Sequence, residues 1–256
     1  MKPYLVFRLY GPMASWGLPA VGGDRHTAMA PSRSAILGLL GAALGIRRDD
    51  SVQLLALQNS VQIAVKQLVQ GILVRDYHTT QVPSANKKVV HRTRKSELSE
   101  SQLNTVLSSR DYRCDGMWVV AVSLVDQACI TLEALHSALL KPAFQLYLGR
   151  KTCPLAAPLM PQLLTPCDLR SALDTVFPAL TGQQKSDQRC LRFNQWVTYY
   201  WQGEQNELFI DDHATVLTSQ IWDEPQSRAR WQFTTRTMHQ VSLKQDSLMA
   251  TTAVGE

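Results

Sequence analysis

These 256 residues lack closely spaced cysteines, long apolar runs and the familiar catalytic signatures. The five cysteines, Cys114, Cys129, Cys153, Cys167 and Cys190, stand 14 or more positions apart. That excludes a CxxC redox pair and zinc-finger spacing. An odd count with no recognisable export signal points to a reducing, cytoplasmic setting. The longest apolar run, Ala35 to Ile46, has twelve residues, three of them glycine. A membrane span needs roughly 18–20, so no membrane segment is expected. No GxxxxGK[ST], HExxH, GxSxG or DxDxDG pattern occurs, which removes the commonest routes to nucleotide hydrolysis, zinc proteolysis, serine hydrolysis and calcium binding. Asp49-Asp50 and Asp211-Asp212 are adjacent pairs, with His213 beside the second. Adjacent carboxylates in a strand or turn face different ways and clamp a metal poorly. No metal and no cofactor is expected, and Asp49-Asp50 reads as the turn after a helix.

What is present is a chain able to bury a core: 45% hydrophobic and 18% charged. Its formal charge is +5 and its pI about 9.0. A basic balance is compatible with a polyanionic partner and equally with an ordinary basic protein.

The β-branched and aromatic run Tyr4 to Tyr10 predicts an opening strand, stopped by Gly11-Pro12. A long Gly/Pro-rich loop follows. Loops of that length inside a domain are often functional. Ser32 or Ser34 can cap a helix whose apolar residues Ile36, Leu37, Leu39, Leu40, Ala43 and Leu44 recur at helical spacing. Gly38 and Gly41 inside it suggest that something, a strand for example, approaches closely. Val61–Val69 and Ile72–Thr79 read as strands paired in a hairpin about Gln70-Gly71. Thr80 to Asp115 is a polar, basic excursion. Met117–Val125 is a strand, Thr131–Leu140 an amphipathic helix and Ala143–Leu148 a short strand. The order is βαββαβ, an α+β, ferredoxin-like arrangement of the kind RRM-type RNA binders use. This sets a domain at 1–150 with an insertion at about 80–115. A small β-rich C-terminal region at 151–256 has strands around Gly203 and a loose tail after about Lys244.

Binding signals outnumber catalytic ones. Lys87 to Lys95 reads KKVVHRTRK, five Lys/Arg and one histidine without an acid. Such a run can track phosphates, or be a solvated loop. Arg228, Arg230, Arg236 and Lys244 interleave with Trp231 and Phe233, a pattern that suits single-stranded nucleic acid or a core. Gly149-Arg150-Lys151 follows a predicted strand, where glycine lets backbone N–H groups approach a phosphate. Trp16 can stack on a base or plug the core edge. Metal-free RNA cleavage needs a base, an acid and a cation, which Tyr77, His78, His91 and Lys95 could supply. His78, however, has no close sequence partner to orient it.

Four blocks resemble the CasD family, the RAMP-type subunit of type I-E CRISPR Cascade: GPMASWG (Gly11 to Gly17), PSRSAILGLLGAALGI (Pro31 to Ile46), RDYHT (Arg75 to Thr79) and YLGRKTCPL (Tyr147 to Leu155). RDYRCD (Arg110 to Asp115) and DEPQSRARWQFTTR (Asp223 to Arg236) are similar to weaker family blocks. The resemblance implies an RRM-like domain with a β-hairpin thumb at about 80–115. It implies a subunit that caps the crRNA 5′ handle without cutting it, in a ribonucleoprotein serving antiviral defence. Its implied partners are the backbone subunit CasC, the large subunit CasA and target DNA near the PAM-proximal end. The alternative is a metal-independent endoribonuclease that processes pre-crRNA. By this resemblance Met13, Ser15, Trp16, Gly17, Arg33 and Ser34 line the handle pocket. Arg75, Tyr77 and His78 lie at the thumb base, Lys87, Lys88, His91, Arg92, Arg110 and Arg113 belong to the thumb, and Gly149, Arg150 and Lys151 cradle phosphates.

Overall fold

The apolar run at the N-terminus forms β1, Lys2–Tyr10, which turns Leu5, Phe7 and Leu9 to one face and Tyr4 and Val6 to the other. The computed structural model describes residues 1–20, 22–85, 89–193, 195–210, 214–227, 230 and 232–244. The long first loop contains two short strands, β2 (Met13–Ala14) and β3 (Asp24–Arg25). Helix α1, Arg33–Leu44, starts where the Ser32 side chain accepts from the Ala35 amide and ends at Gly45. Helix α2, Ser51–Ser60, is capped by Asp50, so that carboxylate satisfies a helix end.

Strand β4, Val61–Val69, is buried nearly throughout, whereas β5, Ile72–Pro83, is mostly exposed. A short helix α3, Arg94–Leu98, precedes β6, Leu103–Cys114. Then come β7, Met117–Leu124, and α4, Leu132–Leu140, capped by Thr131. The last part holds β8 (Gln162–Cys167), α5 (Leu169–Leu173), α6 (Gln184–Cys190), β9 (Trp196–Trp201), β10 (Leu217–Ser227) and β11 (Gln232–Lys244).

Seven strands make one antiparallel sheet in the order β10-β11-β9-β4-β7-β1-β8. One end of it, β4-β7-β1-β8, follows the sequence order β1-α1-β4-β7-α4-β8, with α2 before β4 and β5-α3-β6 between β4 and β7. Helices α1 and α4 pack with Phe7, Val65 and Trp118 on one face. Leu169 and Leu173 of α5 pack with Val6, Ala121 and Tyr199 on the other. A separate four-stranded sheet is centred on β6, with β5 along one edge and β2 and β3 along the other.

The sequence expectations need correcting at four places. Val61–Val69 and Ile72–Thr79 do not pair with each other; β4 pairs β7 and β9, and β5 pairs β6. The chain does turn at Gly71, which has φ +70°, but the turn hands it from one sheet to the other. The hairpin therefore runs from Ile72 to Cys114 and begins before the expected 80. Ala143–Leu148 is not the fourth strand. Its amides at Ala143 and Phe144 donate to the carbonyls of Ala43 and Ala42 at the end of α1, and β8 takes the place beside β1. Since β8 to β11 complete one sheet with β1, β4 and β7, the sheet crosses residue 150. Among the described residues nothing approaches the side-chain position of Gly38, while Gly41 faces Leu54 and Leu57 of helix α2 and not a strand. The tail after Lys244 and the Asp211-Asp212-His213 cluster lie outside the described residues. Among the described residues, no helix is long and apolar enough to cross a membrane.

Candidate nucleic-acid interface

Three segments far apart in sequence meet at the base of the β5–β6 hairpin. In the first loop, Met13 pairs with Cys114 and Ala14 with Arg113 of β6. The Ser15 amide donates to the Leu148 carbonyl at 3.0 Å, and its hydroxyl donates to the Asp111 carbonyl at 3.2 Å. The third segment is the turn at Gly149, which has φ +84°; a Cβ there would stand 1.9 Å from the Ser15 carbonyl oxygen. Only glycine permits both that dihedral and that approach.

Around the junction, three buried nitrogens have no hydrogen-bond partner among the described residues: Trp16 Nε1, Arg113 Nε and Arg150 Nη1. The Arg150 guanidinium lies over the Tyr112 ring, 5.0 Å from its centroid. Burial pulls the Arg113 pKa below the ordinary guanidinium value, and Asp111 partly opposes that pull. A buried donor left unsatisfied costs about 1–3 kcal/mol, so orphans of this kind call for an acceptor from a ligand or water.

The hairpin adds charge above the junction. Arg75 donates from Nε and Nη2 to Asp111 at 2.8 and 3.0 Å and stays half exposed. Those bonds hold the buried Asp111 carboxyl well below its usual pKa, at about 2, against the opposing effect of burial; His26 adds to the lowering. Tyr77 is 63% exposed. Arg110 and Arg92 are exposed, and His91 is partly buried against Ser96 and Glu100. Lys151 lines an open groove of about 1250 Å³ beside α1, together with Gly38, Gly41, Leu54 and Tyr147. Gly17 is exposed and bridges Thr27, and the Ser34 hydroxyl bonds that of Ser32.

Several site expectations change. Trp16 is buried, edge-on to Trp118 at 5.2 Å, so its ring plugs the core and cannot stack on a base. Arg33 is buried too. Its Nε pairs with Glu224 at 2.6 Å, its Nη2 donates to the Gln58 carbonyl at 2.7 Å, and its backbone amide donates to Asp223. It ties α1 to β10 and is unavailable to RNA. Arg236 pairs with Asp223 through Nε and Nη2, so that cation is internal, whereas Arg230 and Lys244 are exposed. His78 does have a partner: its Nε2 is 2.5 Å from Asp76, two residues back on the same strand face. Period-two alternation could have revealed that pair. The pairs His26–Asp111 and Arg33–Glu224 join residues too distant in sequence for spacing to show. Lys87 and Lys88 lie outside the described residues, as do Arg228 and Trp231. Among the described residues, no group of three His, Cys, Asp or Glu could hold a metal ion.

Comparison with known proteins gives a consistent result. A family model described as CRISPR-associated protein (Cas_Cas5) matches residues 4–239. The CRISPR system Cascade subunit CasD of Escherichia coli (strain K12) is 41% identical over 167 residues, covering 62% of this chain and 70% of its own. A solved chain described as "CRISPR RNA-guided surveillance complex" superposes with a TM-score of 0.63 at 24% identity, over 94% of this chain and 89% of its own. Another, "Crystal structure of Cas protein", gives 0.60 at 23%, over 94% and 95%. These two support the fold.

Proposed function

The chain belongs to the Cas_Cas5 family of CRISPR-associated proteins, and from that premise we propose that it is a crRNA-binding subunit of a type I-E surveillance complex, gripping the 5′ handle of the guide. The relative of that name in Escherichia coli is a Cascade subunit. In this reading β1-α1-β4-β7-α4-β8 is a ferredoxin-like domain, the β5–β6 hairpin is the thumb, and the strands after β8 extend the domain's sheet. The protein works in the cytoplasm beside a CasC-type backbone subunit and a CasA-type large subunit, near the PAM-proximal end of bound DNA.

One observation carries the reading. The first loop, the hairpin base and the Gly149 turn pack together, and each carries a buried side-chain nitrogen without a hydrogen-bond partner among the described residues. Phosphate and base oxygens are the acceptors such donors suit. Arg150, Arg113, Arg110, Arg75, Tyr77 and the exposed Gly17 are then the contacts; Met13, Ser15, Ser34 and Gly149 shape the pocket. Lys87, Lys88, His91, Arg92 and Lys151 extend its charge. The test is repeat-RNA binding across a salt series. Arg150→Ala should weaken binding and flatten the slope of log K against log salt by about 0.7 per lost phosphate contact. An unchanged slope and affinity would remove Arg150 from the interface.

We read the chain as a binder and not a nuclease. The His78–Asp76 contact is the observation that favours the alternative, a metal-independent endoribonuclease. Incubation with repeat RNA in EDTA decides between them. Specific cleavage that His78→Ala abolishes would establish the alternative.

A further inference from the structure

His26 is a second histidine held by a carboxylate, and no sequence motif points to it. Its Nδ1 lies 3.0 Å from Asp111 Oδ2. Asp111 is ionised across the working pH range because its pKa is held at about 2, chiefly by Arg75. An ionised carboxylate only accepts hydrogen bonds. His26 Nδ1 must therefore carry the proton, and the free nitrogen is Nε2. The ring is half exposed, and no partner for Nε2 occurs among the described residues.

The backbone that carries the ring is anchored to the first part of the loop. The Leu18 amide donates to the His26 carbonyl at 3.2 Å, and the Thr27 hydroxyl accepts from the Trp16 amide at 2.8 Å. Strand β3 lies parallel to β6, placing Arg25 opposite Arg110 and Asp24 opposite Ser109. The charged groups around the imidazole are thus Asp111 and Arg75 below it, Asp24 and Arg25 before it, and Arg110 across β6. Asp111 is occupied by Arg75, and Asp24 bonds the Ser109 hydroxyl. Arg25 donates to the Gly22 carbonyl, and Arg110 is exposed. The three arginines exceed the two aspartates by one, so a proton on His26 adds to a local charge that is already positive.

We infer that His26 is an RNA-contacting residue of this interface, donating from Nε2 to a phosphate oxygen when the ring is protonated; this rests on the RNA-binding function proposed above. The neutral ring offers only an acceptor at Nε2, which cannot bond a phosphate oxygen. Histidine changes charge between about pH 5 and 8, so the contact is a pH-dependent addition to the fixed grip of the arginines. A 2′-hydroxyl donating to neutral Nε2 would have the opposite pH dependence.

The experiment measures binding of the full chain to single-stranded repeat RNA over a salt series at pH 8 and pH 5.5. His26→Gln keeps a donor toward Asp111 without titrating, and His26→Lys is charged at both values. In the wild type, acidification should tighten binding and steepen the salt slope by about 0.7, the share of one phosphate on a single strand. His26→Gln should lack that increment, and His26→Lys should show the steeper slope already at pH 8. All three proteins retain His78 and His91, so any effect of those rings is common to them and drops out of the difference. An equal pH response in wild type and His26→Gln would overturn the assignment, as would weaker wild-type binding at low pH. RNA fragments formed in EDTA by wild type and not by His26→Gln would also overturn it, assigning the ring to chemistry. RNA binding without the His26-dependent increment sinks this inference alone; no binding at either pH sinks the proposed function with it.

Discussion

Strands β4 and β5 are separated only by Gln70 and Gly71 and have almost nothing else in common. β4 is covered on both faces and flanked by β7 and β9. β5 has one neighbour, β6, and exposes Ile72, Leu73, Val74 and Tyr77. Both are rich in β-branched residues, so strand propensity alone cannot tell a framework strand from a presented one. The difference lies in what surrounds them. Framework cations are paired and shut away, whereas the hairpin base keeps arginines half exposed and buried donors unpaired.

Four predictions probe that contrast, beginning with the largest expected effect. Arg33→Ala should cost about 3–5 kcal/mol in denaturant unfolding, because it removes the cation paired with Glu224 and the donor to the Gln58 carbonyl behind α1. A loss below about 1 kcal/mol would return Arg33 to the interface. Gly149→Ala should cost about 3 kcal/mol, combining a positive φ with a clash against Ser15. By contrast, Gly38→Ala in the open helix face should gain up to about 1 kcal/mol. Thermal melting of the two variants checks the pair, and equal effects would break it.

The third prediction concerns acid. Asp111 has a depressed pKa, so its stabilisation is present above the ordinary carboxylate value of 3.8 and fades as pH falls through about 2. A titration of unfolding free energy from pH 5 to 2 should show a loss of about 2 kcal/mol that Asp111→Asn lacks. The smallest effect on stability belongs to Arg110→Ala, within about 0.5 kcal/mol. It should still flatten the RNA salt slope by about 0.7. A large stability loss there would make the exposed face of the hairpin a structural one.

The framework was largely legible in sequence. The apolar run of β1, a serine cap of α1 at Ser32 or Ser34, the amphipathic helix α4 and the strand at Met117 all follow from periodicity and capping. Strand β8, QLLTPC, was not: it is short, half exposed and contains Pro166, so it carries no strong pattern. Helix α2 was missed for a similar reason, since only Leu57 and Ser60 of it are buried. At the site, motif blocks named the segments that meet, but not the role of each side chain. Arg33 and Trp16 sit in blocks that suggested ligand contact and are buried parts of the framework. Their roles depend on Glu224 and Trp118, which only the fold brings near. The junction of Ser15, Tyr112, Arg113 and Arg150 is likewise a product of topology.

The role proposed for this junction is to hold the 5′ end of a guide RNA. The most direct measurement is nuclease protection of that end in complexes co-expressed with a CRISPR array, with wild type and with Arg110→Ala/Arg150→Ala. The wild-type complex should contain this chain and shield the 5′ end, and the double variant should leave that end open while the rest of the guide stays covered. A complex that forms without the chain, or a 5′ end equally shielded in both, would contradict it.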